Sequence, residues 1–222
     1  SVARGSVGFV FEAHSCRIYG GHNRIKCKTG LGVGANHHWN VTIGEQTSSP
    51  SETTTSYHRP EVFSIEMSSG DQHQDPHSLN TSGGEKLVLN GTNFGPADRY
   101  GGAWNPVSAT FARFPDGRPL DPVDLRQNFS DRAGLAEKSY QALRCAVIVN
   151  DTLMVCHSPV GVGDHHHWAV KSGEQLGAYS VATTSYAPPT VLSYQIHAQT
   201  LATSRLRTTG DDTITFHGFN LG

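Results

Sequence analysis

The run CAVIVNDTLMVCHSPVGVGDHHHWAVKSGEQ, residues 145–175, decides the fold, because the chain carries it twice. CRIYGGHNRIKCKTGLGVGANHHWNVTIGEQ, residues 16–46, matches it at a constant offset of 129 residues. Cys16 aligns with Cys145, Cys27 with Cys156 and Trp39 with Trp168; beyond the run, Tyr57 aligns with Tyr186 and Pro60 with Pro189. Trp39, Val41 and Ile43 alternate with polar neighbours, as do Trp168 and Val170, which is the period of a strand. Self-similarity at a fixed period marks stacked copies of one structural unit.

A second pairing fixes the phase. GEKLVLNGTNFG, ending at Gly95, matches DDTITFHGFNLG, ending at Gly222, at an offset of 127, so a two-residue length change precedes it. The expected division is the C-terminal part of one unit at 1–60, a complete unit at 61–189 and the start of the next at 190–222. The chain opens in strand-like alternation and stops after a strand and its turn, so a segment of a longer array is expected. The junctions TTTSYHRPEV and ATTSYAPPTV run from strand to strand through proline with no Gly/Ser linker. Proline fixes φ and cannot extend a ladder, which suits a stiff hinge and a semi-rigid rod.

Within 61–189 the strand signals come at short intervals: 62–67, 86–91, 108–114, 144–149, 152–157, 167–171 and a last strand near 179–186. About seven strands is the count of an immunoglobulin-type β-sandwich. The chain is therefore expected to be all-β, a tandem array of such sandwiches. Residues 118–142 fit least well and are expected to form a long loop or a helical turn around Asp131–Lys138. Composition agrees: 24 Gly, 11 Pro and only 16% charged residues in 222. A net charge of −2 with no basic stripe argues against a nucleic-acid surface. No apolar run approaches the ~20 residues of a membrane-spanning helix.

Cys145 and Cys156 lie symmetrically about Asn150–Asp151, and Cys16 and Cys27 about Gly21–His22. A two-residue turn at either place sets the cysteines opposite each other on adjacent strands, within bonding reach. Disulfides Cys16–Cys27 and Cys145–Cys156 are the favoured reading. Free buried thiols and a zinc site with the nearby histidines are the alternatives, the latter opposed by the wide Cys spacing. Five Asn-x-Ser/Thr sequons, Asn40, Asn80, Asn90, Asn128 and Asn150, together with paired cysteines favour an extracellular or cell-surface location with N-linked glycans. Asn80 and Asn128 read as loop positions, Asn90 and Asn150 as neighbours of tight turns.

These motifs together resemble the IPT/TIG domain of plexins, scatter-factor receptors, fibrocystin-type proteins and multi-repeat surface proteins of protists. The resemblance is carried by the opening Pro-x-Val and by GG-x-x-L-x-L-x-GTNFG at 83–95. It continues through the Cys145/Cys156 pair, PVGVG at 159–163, Trp168 to Gln175, and TTSY-x-PP at 183–189. It covers nearly the whole chain apart from a longer connection at about 97–142. Such motifs specify a fold better than a function. On this reading Gly91 and Gly95 bracket a turn needing φ > 0, and Trp39 and Trp168 fill the core between sheets.

The His-rich loops at His37, His38, His165, His166 and His167 are expected to face solvent or an interface. A pH-sensitive contact between units and a metal site are the weighed alternatives. Adjacent histidines on a strand point to opposite faces and seldom converge on one ion. The glycines of GLGVG and GVGVG are turns, since no P-loop lysine follows. Asp98, Asp116, Asp121 and Asp124 lack the alternating spacing of a calcium loop. No nucleophile–base order or paired carboxylates stand out, so neither enzyme activity nor a cofactor is expected. The leading expectation is a structural or adhesive extracellular protein forming a rod or filament, such as a flagellar-hair (mastigoneme) or cell-surface component. Its partners would be neighbouring repeats and other protein chains. The alternative is a ligand-binding ectodomain of a plexin- or fibrocystin-like receptor. A DNA-binding domain and an accessory domain of a carbohydrate-active enzyme rank below both.

Overall fold

The computed structural model describes residues 2–4, 10–68, 75–97, 107–114, 138–197 and 206–222. Among these residues every regular element is a β-strand. The first stretch holds β1 (Val2–Arg4), β2 (Val10–Glu12), β3 (His14–Tyr19), β4 (Arg24–Lys28), β5 (His38–Asn40), β6 (Thr42–Ile43) and β7 (Gln46–Thr47). The central stretch opens with β8 (Glu61–Met67), β9 (Lys86–Thr92), β10 (Val107–Arg113) and β11 (Lys138–Gln141). It continues with β12 (Leu143–Val149), β13 (Leu153–His157), β14 (His166–Ser172), β15 (Gln175–Leu176) and β16 (Thr183–Thr184). The last stretch is the hairpin of β17 (Thr190–His197) and β18 (Thr213–Phe219).

The central stretch forms two antiparallel sheets, β12-β13-β9-β8 and β11-β10-β14-β15 with β16 on β14. Alternation decides which side chains meet between them. Along β9, Leu87, Leu89 and Gly91 point inward while Lys86 and Asn90 point out. They pack with Ile65, Val147 and Met154 of their own sheet against Ala109, Phe111, Trp168 and Val170 of the other. The Phe111 and Trp168 rings stack with centroids 4.3 Å apart. Each such side chain removed from water contributes about 1.5–3 kcal/mol, which makes this face-to-face β-sandwich arrangement the stable one.

Several expectations are revised. Strand β11 at Lys138–Gln141 occupies a segment read as loop or helical turn; it pairs with β10, placing Tyr140 beside Phe111. Residues 115–137, with Asn128, Asp116, Asp121 and Asp124, lie outside the described residues, as does Asp98. The strand expected near 179–186 shrinks to two residues, because Ser180 uses its main-chain and side-chain groups to bind Trp168 and Ala182. The hairpin loops are longer than two residues. Three residues separate Val149 from Leu153, with Asp151 at φ 71°, and four separate Tyr19 from Arg24, with Gly20, Gly21 and His22 all at positive φ. Gly91 is required for a different reason from the one expected. Its φ is ordinary, but a Cβ there would lie 2.0 Å from the Glu61 carbonyl oxygen and 2.5 Å from the Phe94 ring.

Candidate functional site

The candidate site is the set of contacts that recurs along the chain and the places where successive stretches meet. Trp168 Nε1 donates to Thr184 Oγ1 at 2.9 Å, and Trp39 Nε1 to Thr55 Oγ1 at 3.0 Å. The main-chain N–H of each Trp donates to a serine hydroxyl at 2.9 Å, Ser180 in one case and Ser51 in the other. Tyr186 Oη donates to the Pro159 carbonyl at 2.8 Å, and Tyr57 Oη to that of Gly30 at 2.9 Å. A Cβ on Gly161 or Gly32 would strike the ring of the corresponding tyrosine. Those glycines are thus seats for a buried tyrosine, consistent with reading the Gly-rich loops as turns. Trp168 is fully buried, whereas Trp39 is only half-buried.

Each cysteine pair is bonded, Cys16 to Cys27 and Cys145 to Cys156, with Cα atoms 4.1 Å apart in both. Each bridge follows a residue held at positive φ, Ser15 at 54° and Arg144 at 49°, where a bulge shifts the register.

The histidines depart from expectation. His38 and His165 are exposed, but His37, His166 and His167 are buried. Neighbouring residues of β14 do face opposite ways, yet both faces of this central strand are covered. His166 lies edge-on to Phe111, Tyr140 and Tyr186, at centroid distances of 5.4–5.7 Å. His167 places Nδ1 2.7 Å from the Ser180 carbonyl, beside the Phe114 ring. Burial lowers the His166 pKa to about 4. His37 lies edge-on to Phe11 and Tyr57, at centroid distances of 5.4 and 5.5 Å. Among the described residues no cluster of three or more His, Cys, Asp or Glu side chains is placed to hold a metal ion.

The junctions repeat as well. Asn93, at φ 62°, donates its side-chain amide to the Arg59 carbonyl at 3.0 Å; Asn220, at φ 56°, donates to the Pro188 carbonyl at 3.3 Å. β17–β18 copies the β8–β9 register, with Val191 opposite Gly218 as Val62 is opposite Gly91, and the same bulge follows. The Glu85 carboxylate accepts from the Asn80 N–H at 2.9 Å, and the Asp212 carboxylate from the Arg207 N–H at 2.6 Å. Between the first and central stretches, the Gly173 turn approaches Val33 and Gly34 so closely that a Cβ would meet the Gly34 nitrogen at 2.6 Å. Gln175 there reaches the carbonyls of Gly34 and Tyr57. At the other end of β9, Thr81 Oγ1 lies 3.5 Å from Asn220 Oδ1. A cavity of about 240 Å³ at the first junction is lined by His37, Trp39, Tyr57, His58, Asn93 and Asp151, among others.

The described sequons differ in geometry. Asn80 is exposed in a turn, its Oδ1 accepting from the N–H and hydroxyl of Ser82. Asn90 lies within β9, not beside a turn, and its Nδ2 donates to Ser64 and Glu66. Asn150 Oδ1 accepts from the Ala97 N–H at 2.7 Å, and Asn40 Nδ2 donates to the Ser48 carbonyl at 3.4 Å. No helix of the described residues is long and apolar enough to cross a membrane.

Sequence reasoning missed Ser51, Ser180, Thr55, Thr184 and Asn220 as bonding partners, and it expected Asn93 to bond its own backbone in the turn, whereas its amide donates to the Arg59 carbonyl. The signal was present, since Ser51 and Thr55 recur at Ser180 and Thr184, and Asn93 at Asn220. No protein-family model, curated protein or solved structure matches the chain.

Proposed function

We propose that the chain is a run of immunoglobulin-like sandwich units of the IPT/TIG type, stacked head to tail as the stiff part of an extracellular rod or filament. On this reading 61–189 is a complete unit, 1–60 the C-terminal part of the one before it and 190–222 the start of the next. The observation that carries this reading is the repeated joint, in which Asn93 and Asn220 bind the last linker carbonyl before each proline junction. A joint used twice with the same bonds gives a constant step from unit to unit, and a constant step builds a rod or superhelix. The two disulfides fit an oxidising compartment. Among the described sequons Asn80 is the one best presented for a glycan, exposed and oriented by Ser82. Its working surfaces are strand edges, loops and faces between chains, and no catalytic role is assigned.

Small-angle X-ray scattering extrapolated to infinite dilution tests the rod. The expected particle is elongated, with a radius of gyration well above the ~17 Å of a 222-residue globule. A compact particle near that value contradicts the reading.

A further inference from the structure

We propose that Asn90 carries an N-linked oligosaccharide whose inner sugars lie on the outer face of the sheet β12-β13-β9-β8 and close that face to protein partners. The proposal rests on the extracellular part of the reading above and deepens it, assigning one sugar site and what the sugar covers.

Asn90-Gly91-Thr92 is a sequon set inside a strand rather than in a loop. Alternation along β9 sends Leu87 and Leu89 into the core, so Val88 and Asn90 face the other way. The Asn90 amide shows the direction, donating to Ser64 Oγ at 3.2 Å and to Glu66 Oε1 at 3.4 Å on β8. An N-glycan replaces one amide hydrogen and leaves the other for Ser64. A sequon one residue earlier or later on this strand would aim its sugar into the core; this one does not.

The surface around Asn90 is apolar for a solvent side. Across the strands Asn90 stands between Leu153 and Ser64, and the neighbouring row is Ala146, Val155, Val88 and Glu66. Bulges interrupt the register between Val62 and Ser64 and between Val147 and Val149. Their extra residues, Phe63 and Ile148, are 56% and 54% exposed and flank the Asn90 row on β8 and β12. All of these residues belong to the central stretch.

A tethered sugar suits this surface better than a protein partner does. The C–H groups of an N-acetylglucosamine ring can rest on the negative face of an aromatic ring such as Phe63 while its hydroxyls stay in water. A protein covering the same rows would bury the Glu66 carboxylate, which is costly without a cation to pair it. A hydrophilic sugar leaves Glu66 hydrated and masks an apolar patch that otherwise favours association. The transfer is a balanced displacement from an oligosaccharide linked to a polyprenyl diphosphate. The Asn90 Nδ2–C1 bond forms, the C1–O bond to the diphosphate breaks, the diphosphate leaves with the electron pair, and the amide proton passes to a base on the transferase.

Intact-glycopeptide mapping of the full 222-residue chain, made through the secretory route of cultured eukaryotic cells, tests the site. Intact glycopeptides are read because the Asn90–Gly91 pair can deamidate spontaneously and mimic a released sugar. The expected result is an oligosaccharide on Asn90. Asn90→Gln and Thr92→Val each remove it by different atoms. Each variant raises the fluorescence of a hydrophobic dye severalfold while near-UV dichroism from Trp168 stays unchanged. Adding Phe63→Ser to Asn90→Gln lowers the dye signal again, which locates the uncovered patch at the bulge. Sugar on Asn80 with Asn90 bare overturns this proposal and leaves the extracellular reading standing; no sugar on any sequon overturns both. An occupied Asn90 whose loss leaves dye binding unchanged in both variants overturns the covering role.

Discussion

Asn93 donates its side-chain amide to the Arg59 carbonyl at 3.0 Å from a backbone conformation, φ 62°, that few residues other than glycine adopt readily. Asparagine is suited to the place because it tolerates the left-handed region and carries a donor. The same pairing of conformation and donor recurs at Asn220 with Pro188.

Asn93→Gly keeps the backbone conformation available and removes only the amide. The expected loss is about 1 kcal/mol of stability, with a wider spread of distances between the first and central stretches. Spin labels on exposed residues Glu45 and Glu174 measure that spread; an unchanged distribution contradicts a role for Asn93 in holding the joint.

Gly91→Ala places a methyl group 2.0 Å from the Glu61 carbonyl oxygen and 2.5 Å from the Phe94 ring. The neighbour is main chain and cannot swing aside, so the expected cost is about 3 kcal/mol or more. Urea titration followed by tryptophan fluorescence measures it, and a near-neutral effect contradicts the close approach.

Thr184→Val leaves the shape of the side chain and removes the acceptor for the buried Trp168 indole N–H. An orphaned buried donor costs about 1–3 kcal/mol. Thr55→Val costs less, because the half-buried Trp39 can turn to water for a partner. Thermal unfolding of both variants gives the ranking, and equal losses contradict the difference in burial.

His166 supplies an acid dependence. Burial among Phe111, Tyr140 and Tyr186 lowers its pKa from 6.5 to about 4, so between these values the unfolded chain binds a proton that the folded chain refuses. Stability therefore falls as pH drops from about 6.5 toward 4 and levels off below, by up to about 3 kcal/mol. His166→Leu removes this part of the pH dependence. Melting curves across that range check it, and the same slope in both proteins contradicts the assignment.

Much of the fold was legible because its signals are local. Alternation along KLVLNG placed β9 to within a residue, and the spaced cysteines with turn residues between them placed two bridged hairpins. What was not legible depends on tertiary covering. Nothing in HHHW says that both faces of β14 are sealed, so His166 and His167 were expected outside. Nothing in LNGTN says that Gly91 faces a carbonyl across the strand pair. Strand β11 was missed because Lys138–Gln141 draws its strand character from pairing with β10 rather than from its own residues.

Mass-spectrometric mapping of the disulfides in the unreduced protein is the most direct test that one bridged hairpin recurs along the chain. The account predicts two cross-linked peptide pairs, Cys16 with Cys27 and Cys145 with Cys156, and no others. A bridge joining Cys16 or Cys27 to Cys145 or Cys156, or four free thiols in protein made under oxidising conditions, contradicts it.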